Sequence, residues 1–134
     1  MSFRFLVEID GLIVAGFSEV AGLQAETEVE TIEEGGVNDH VHKLPKKTKY
    51  PNLMLKRGIT DSSALWDWHK DVVDGKIERK SGYIILLDSE ANEQWRWNFI
   101  EAYPVKWSGP DLKADGSTIA IESIELVHNG IKKA

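Results

Sequence analysis

The 134-residue sequence predicts an all-β protein, a β-sandwich or small barrel, with one α-helix around residues 61–74. Two observations carry this. Segment after segment alternates apolar and polar residues with period two, and turn-forming dipeptides separate them. One stretch alone, "SALWDWHKDVV", spaces its apolar residues at helical intervals. A chain of this length forms a single domain, residues 1–134, around one core.

The first strand is "FRFLVEID", where Phe3, Phe5, Val7 and Ile9 alternate with Arg4, Leu6, Glu8 and Asp10. Asp10-Gly11 reads as a tight hairpin turn. "LIVAGFSEV" returns from it, with Gly16 marking a bulge or close packing and Gly22 ending the strand. In "LQAETEVETIEE", Gln24, Glu26, Glu28 and Glu30 take one face and Ala25, Thr27, Val29 and Thr31 the other. Glutamates in a row on one strand face repel one another, so that face is expected to be wet. "GGVNDHVHKLPKKTKY" reads as a loop, and "NLMLKRG" as a strand.

The helix follows, capped by Asp61 or Ser62 and ended at Asp74-Gly75, with Leu65, Trp68 and Val72 on one face. "YIILLD" and "EQWRWNF" are strands around the turn "SEAN". Trp95, Trp97 and Phe99 share a face of the second, and such a face is expected to be core. "SGPDLKADGS" is a loop, and "STIAIESIELVHNG" the last strand. Its apolar phase changes between Ile121 and Ile124, which suggests a bulge near Glu122-Ser123.

Composition narrows the function. The absence of cysteine rules out disulfides and thiolate zinc sites and is compatible with assembly in the cytoplasm. No apolar run is long enough to cross a bilayer as a helix. The net charge of −6 argues against binding duplex nucleic acid over the surface. Its distribution is uneven: residues 1–34 carry −7, residues 35–60 carry +5, and the remainder −4. Either both charged stretches are simply solvated, or one face of a subunit attracts a different face of its copy. Heterologous contacts of the second kind build rings or filaments.

Motifs for chemistry are scarce. There is no nucleophile elbow, P-loop or dinucleotide fingerprint. His40 and His42 would share a strand face, as a zinc pair does. A third ligand would have to be Asp39, which points the opposite way, or His69 on the helix, or a remote carboxylate. Hydrated or hydrogen-bonded polar residues are the simpler reading of both histidines. The lysines at 46, 47 and 49 could meet phosphate or any acidic partner.

Four stretches carry a resemblance: "FRFLVEIDGLIVAGFSEVAGLQAETEVE", "EGGVNDHVHKLPKKTKYPNLMLKRGITDSSALWDWHKDV", "WRWNFIEAYPVKWSGPDL" and "IAIESIELVHNGI". Together they resemble the inner tail tube family of contractile phage tails and bacterial contractile injection systems, from Phe3 to Ile131. The resemblance implies a barrel or sandwich with one helix, similar also to the type VI secretion tube protein. It implies hexameric rings whose subunit sheets join into a continuous barrel, stacked as a hollow tube inside a sheath. Neither catalysis nor a cofactor is implied. The implied partners are further copies of the chain, a sheath protein, baseplate, spike and tube-cap proteins, and DNA or cargo in the lumen. The implied setting is the bacterial cytoplasm during assembly, then a phage tail or an injection particle.

On this reading Gln24, Glu26, Glu28 and Glu30 face the lumen. Asn38, Asp39, His40, His42, Lys43, Lys46, Lys47, Lys49 and Tyr50 belong to an inter-subunit loop. A baseplate-proximal initiator or adaptor of the same fold, and a small metal-dependent enzyme using His40 and His42, remain open alternatives.

Overall fold

A computed structural model of the chain describes residues 4–10, 12–32, 42–112, 114 and 120–134. Phe3, Gly11 and the stretch 33–41, with Asn38, Asp39 and His40, lie outside the described residues, as do Lys113 and residues 115–119. The strands are β1 (Arg4–Ile9), β2 (Leu12–Ala21), β3 (Glu26–Ile32), β4 (His42–Lys49), β5 (Leu53–Gly58), β6 (Lys80–Leu87), β7 (Glu93–Ser108), β8 (Ile121–Val127) and β9 (Ile131–Lys133). One helix, α1 (Ala64–Val73), lies between β5 and β6. It is not long and apolar enough to cross a membrane.

Six strands form a closed antiparallel barrel in the order β6-β1-β2-β5-β8-β7, and β7 pairs back onto β6. Of the two architectures the sequence allows, the barrel is the one formed. Closure leaves these strands no open edge around the ring. β9 continues the register of β8 along β7, with Val127 opposite Tyr103 and Ile131 opposite Phe99. The remaining strands, β3 and β4, form a separate two-stranded sheet.

The alternation in the sequence places the core inside this barrel. Val7, Leu53, Leu55, Ile84, Phe99 and Leu126 are wholly buried. The Asp10 hairpin forms as expected: Ile9 pairs directly with Leu12, and Asp10 adopts φ 49°. An extra residue in β2 falls between Val14 and Phe17, the segment that holds Gly16. Gly22 follows β2 with φ +96°, and a Cβ there would sit 2.1 Å from the Asn52 carbonyl oxygen. Only glycine meets both constraints. After β6, the Asp88 carboxylate accepts hydrogen bonds from Glu90 N–H and Asn92 N–H, both at 2.9 Å, and these hold its carboxyl below the usual range.

α1 begins one or two residues later than the Asp61 or Ser62 cap the sequence suggests. Ser63 occupies the cap position without a capping hydrogen bond, and its hydroxyl donates to Asp67 at 2.8 Å instead. The end is as read: Gly75 takes φ +86°, and Gly75 N–H and Lys76 N–H donate to Val72 and Asp71 carbonyls. That pair of bonds is a Schellman motif. Leu65 and Trp68 are buried, and the helix packs on β7, where Trp66 meets the edge of Trp107 at 4.8 Å.

Three expectations change. β8 carries no bulge at Glu122-Ser123, because its register with β5 runs unbroken from Ile121 to Leu126. Glu122 instead takes an inward position, 4% exposed, and Arg57 directly across the ladder is 3% exposed. Arg57 Nε donates to Glu122 Oε1 at 2.5 Å, and Trp107 Nε1–H donates to Glu122 Oε2 at 3.0 Å. A buried charge fully matched in this way is tolerated where an unpaired one is not. The bulge lies in β7, between Pro104 and Lys106. Second, β7 runs well beyond "EQWRWNF", to Ser108. Third, its aromatic face divides: Phe99 is wholly buried and Trp97 packs against the core, but Trp95 is 41% exposed. Trp95 lies near the start of a long strand, where the barrel no longer covers it.

Candidate assembly surface

Residues 42–49 form strand β4 rather than a loop, and β4 pairs with β3 as an arm. Glu26 lies opposite Lys49, Thr27 opposite Thr48, Val29 opposite Pro45 and Thr31 opposite Lys43. An extra residue on β4 accommodates Lys46 and Lys47 across from Glu28. Strand alternation was hidden in this segment because nearly every residue is polar. Pro45 cannot donate to a ladder, and it is accepted here because the arm has free edges.

The pairing brings the acidic and basic stretches together. Glu26, Glu28 and Glu30 share one face, as their spacing requires, and register puts Lys47 and Lys49 on that same face. Lys49 forms an ion pair with Glu28. Hydrogen bonding to Lys49, then its charge, holds the Glu28 carboxyl below its ordinary value of 4.5, and Lys47 adds to the effect. On the other face the Thr27 and Thr48 hydroxyls are 2.9 Å apart. The acidic and basic stretches of the sequence thus meet within the arm, joined by the Glu28–Lys49 ion pair.

Gln24 precedes the arm, exposed, its N–H donating to the Gly22 carbonyl at 2.8 Å. Lys43, Lys46, Lys47 and Lys49 are exposed along β4, which His42 begins. Tyr50 turns back instead: it is half-buried, its ring 5.9 Å from that of His128. His128 Nε2 lies 2.9 Å from the Pro51 carbonyl oxygen, which anchors the arm's root to the end of β8. His69 is half-buried on α1. Among the described residues no group of three His, Asp or Glu side chains could hold a metal ion.

The arm is an exposed element with apolar groups. Val29 is 56% exposed and Leu44 is 47% exposed, and β3 and β4 pack mainly on each other. Among the described residues each strand keeps one unpaired edge. Beside its root lies an open groove of about 500 Å³ lined by Leu86, Gln94, Trp95 and Trp97. A second hollow of about 210 Å³ adjoins it, lined by Leu23, Gln24, Ala25 and Ile131 as well as both tryptophans and Lys133. Sequence reasoning missed this groove; the Trp-x-Trp spacing was a signal for it, but equally one for core.

The chain as a whole is similar to known proteins. The chain matches the family described as T4-like virus tail tube protein gp19 over residues 1–132. It is similar to a chain of the anti-feeding prophage (AFP) baseplate seen in a 6-fold symmetrised cryo-EM structure, with 26% identity, TM-score 0.87, and coverage of 100% of this chain and 94% of that one. A chain of the extended sheath-tube complex of the PVC extracellular contractile injection system has the same fold, with 23% identity, TM-score 0.85, and coverage of 98% and 88%. Hcp1 from Flavobacterium johnsoniae shares it at 19% identity and TM-score 0.67, covering 97% and 94%. No curated protein sequence matches the chain. The barrel, the single helix, the exposed arm and the match across nearly all of the sequence lead to one assignment: the chain belongs to the T4-like virus tail tube protein gp19 family.

Proposed function

We propose that this chain is a structural subunit that closes into hexameric rings, and that the rings stack into a hollow tube within a contractile sheath. The arm carries this reading. A two-stranded ribbon alone is marginal in water, and this one has two free edges and exposed Val29 and Leu44. Pairing with neighbouring copies satisfies those edges and joins the subunits into a continuous wall. The chain needs no catalytic group for this work. Its partners are its own copies, a sheath, baseplate, spike and cap proteins, and DNA or protein cargo in the lumen. Assembly belongs to the bacterial cytoplasm, and the product to a phage tail or an injection particle. The likeness to an AFP baseplate chain favours one second reading, a baseplate-proximal ring of the same fold.

We assign the arm face with Glu26, Glu28 and Glu30, together with Gln24, to the lumen, and Asn38, Asp39, His40, His42, Lys43, Lys46 and Tyr50 to contacts between subunits; Lys47 and Lys49, expected at those contacts from the sequence, share the glutamates' face and go with it. The glutamates are exposed or half-buried in the isolated chain, and burying them against a partner would strip charges of water. Lys47 and Lys49 on the same face make the proposed wall less negative than the sequence suggests.

Replacing residues 26–49 with a short Gly-Ser linker tests the reading. The barrel should stay folded by circular dichroism and run as a monomer on size exclusion with light scattering, while the full chain forms rings. Rings from the armless chain would contradict it.

A further inference from the structure

We propose that the Trp95–Trp97 groove receives Leu112 of a second copy of this chain, with that copy's Asp111 against Lys133. The inference rests on the tube-subunit reading and names one contact within it. Leu112 is 85% exposed, the most exposed of the large apolar residues described, and Asp111 beside it is exposed too. At the groove, Trp95 is 41% exposed and its ring lies 5.9 Å from that of Trp97. Lys133 Nζ lies 4.1 Å from the Trp95 ring centroid, which fixes a cation at the rim. An apolar knob with an adjacent carboxylate meets an aromatic hollow with an adjacent ammonium.

The two halves do not meet within one molecule, where Leu112 is 85% exposed and lines neither hollow. Trp95 lies near the start of β7, and Leu112 lies beyond its end at Ser108. At about 3.3 Å per residue, the strand from Trp95 to Ser108 spans roughly 40 Å, less the bend at Glu101. Glu101 adopts φ 48° within that strand. Knob and hollow at opposite ends of one strand make a head-to-tail contact, and such contacts propagate as rings or stacks. The arm's apolar residues suit the hollow less. Val29 shares its ribbon face with Lys43, so cation would face cation; Leu44, opposite Glu30, is 47% exposed against 85% for Leu112 and offers the smaller knob.

The chain has no cysteine, which allows a direct test. A Gln94→Cys, Leu112→Cys double variant, oxidised after assembly, should give a ladder of covalent multimers on a denaturing gel. Either single variant should give none. Lys133→Glu should raise the concentration needed for assembly roughly two- to fivefold, the size of an exposed charge pair, and Asp111→Lys in the same chain should restore it. Tubes visible by electron microscopy without a ladder overturn the contact and leave the tube reading standing. A ladder from Gln94→Cys with Leu44→Cys instead assigns the hollow to the arm and overturns it as well. Dispersed monomers without a ladder overturn both.

Discussion

Arg57 and Glu122 face each other across β5 and β8 inside the barrel, and each depends on the other's charge. Arg57 also lies over Phe17, its guanidinium carbon 5.7 Å from the ring centroid. Glu122→Ala leaves the guanidinium buried without its partner and should cost about 3–5 kcal/mol. Replacing both residues with similar-sized apolar ones should cost far less, and denaturant titration of the variants distinguishes the two outcomes. Equal losses in the single and double variants would show that the pair is not coupled. This position also marks where sequence reasoning stops. Glu122 breaks the apolar phase between Ile121 and Ile124, and a polar residue at an inward position looks the same in sequence as a shifted strand. Only the register with Arg57, 65 residues away, separates a buried ion pair from a bulge.

Among the elements, the helix and the strands with clean alternation were legible because local spacing determines which face they bury. α1 could be placed from Leu65, Trp68 and the Asp74-Gly75 stop. β4 and the second half of β7 were not legible. Pro45 and Pro104 both argue against strand, and their tolerance comes from free edges and a bulge that a single sequence does not display. The aromatic face of β7 gives a graded test. Phe99→Ala should cost about 3–5 kcal/mol of monomer stability, and Trp95→Ala much less, since Trp95 is 41% exposed. Equal losses in thermal melts would place Trp95 in the core after all.

The arm answers to pH. Its Glu28 carboxyl is depressed below 4.5 by Lys49, so the ion pair supports the folded arm above the ordinary carboxylate range and is lost as pH falls through the lowered value. Nuclear Overhauser contacts between β3 and β4 should therefore weaken on acidification below about pH 4.5 while those of the barrel persist. Arm contacts that hold unchanged in acid would show that the Thr27–Thr48 bond and the backbone ladder suffice.

At the scale of the whole molecule, barrel closure removes the edges of six strands and leaves, among the described residues, those of the arm and of the three-residue β9. The unevenly distributed charge of the sequence suggested attraction between subunits, and part of it meets inside one arm, because β3 and β4 come from the acidic and the basic stretch and Glu28 pairs with Lys49. With free backbone edges and exposed Val29 and Leu44 also available for association, ring formation should persist at salt well above the screening range of exposed charges. Cryo-electron microscopy of the purified full-length chain at rising concentration tests the tube reading most directly. Six-fold rings stacking into tubes of uniform bore, with the arms forming one continuous wall, are the expected result. A chain that remains monomeric at every concentration, with its arm unpaired, would contradict it.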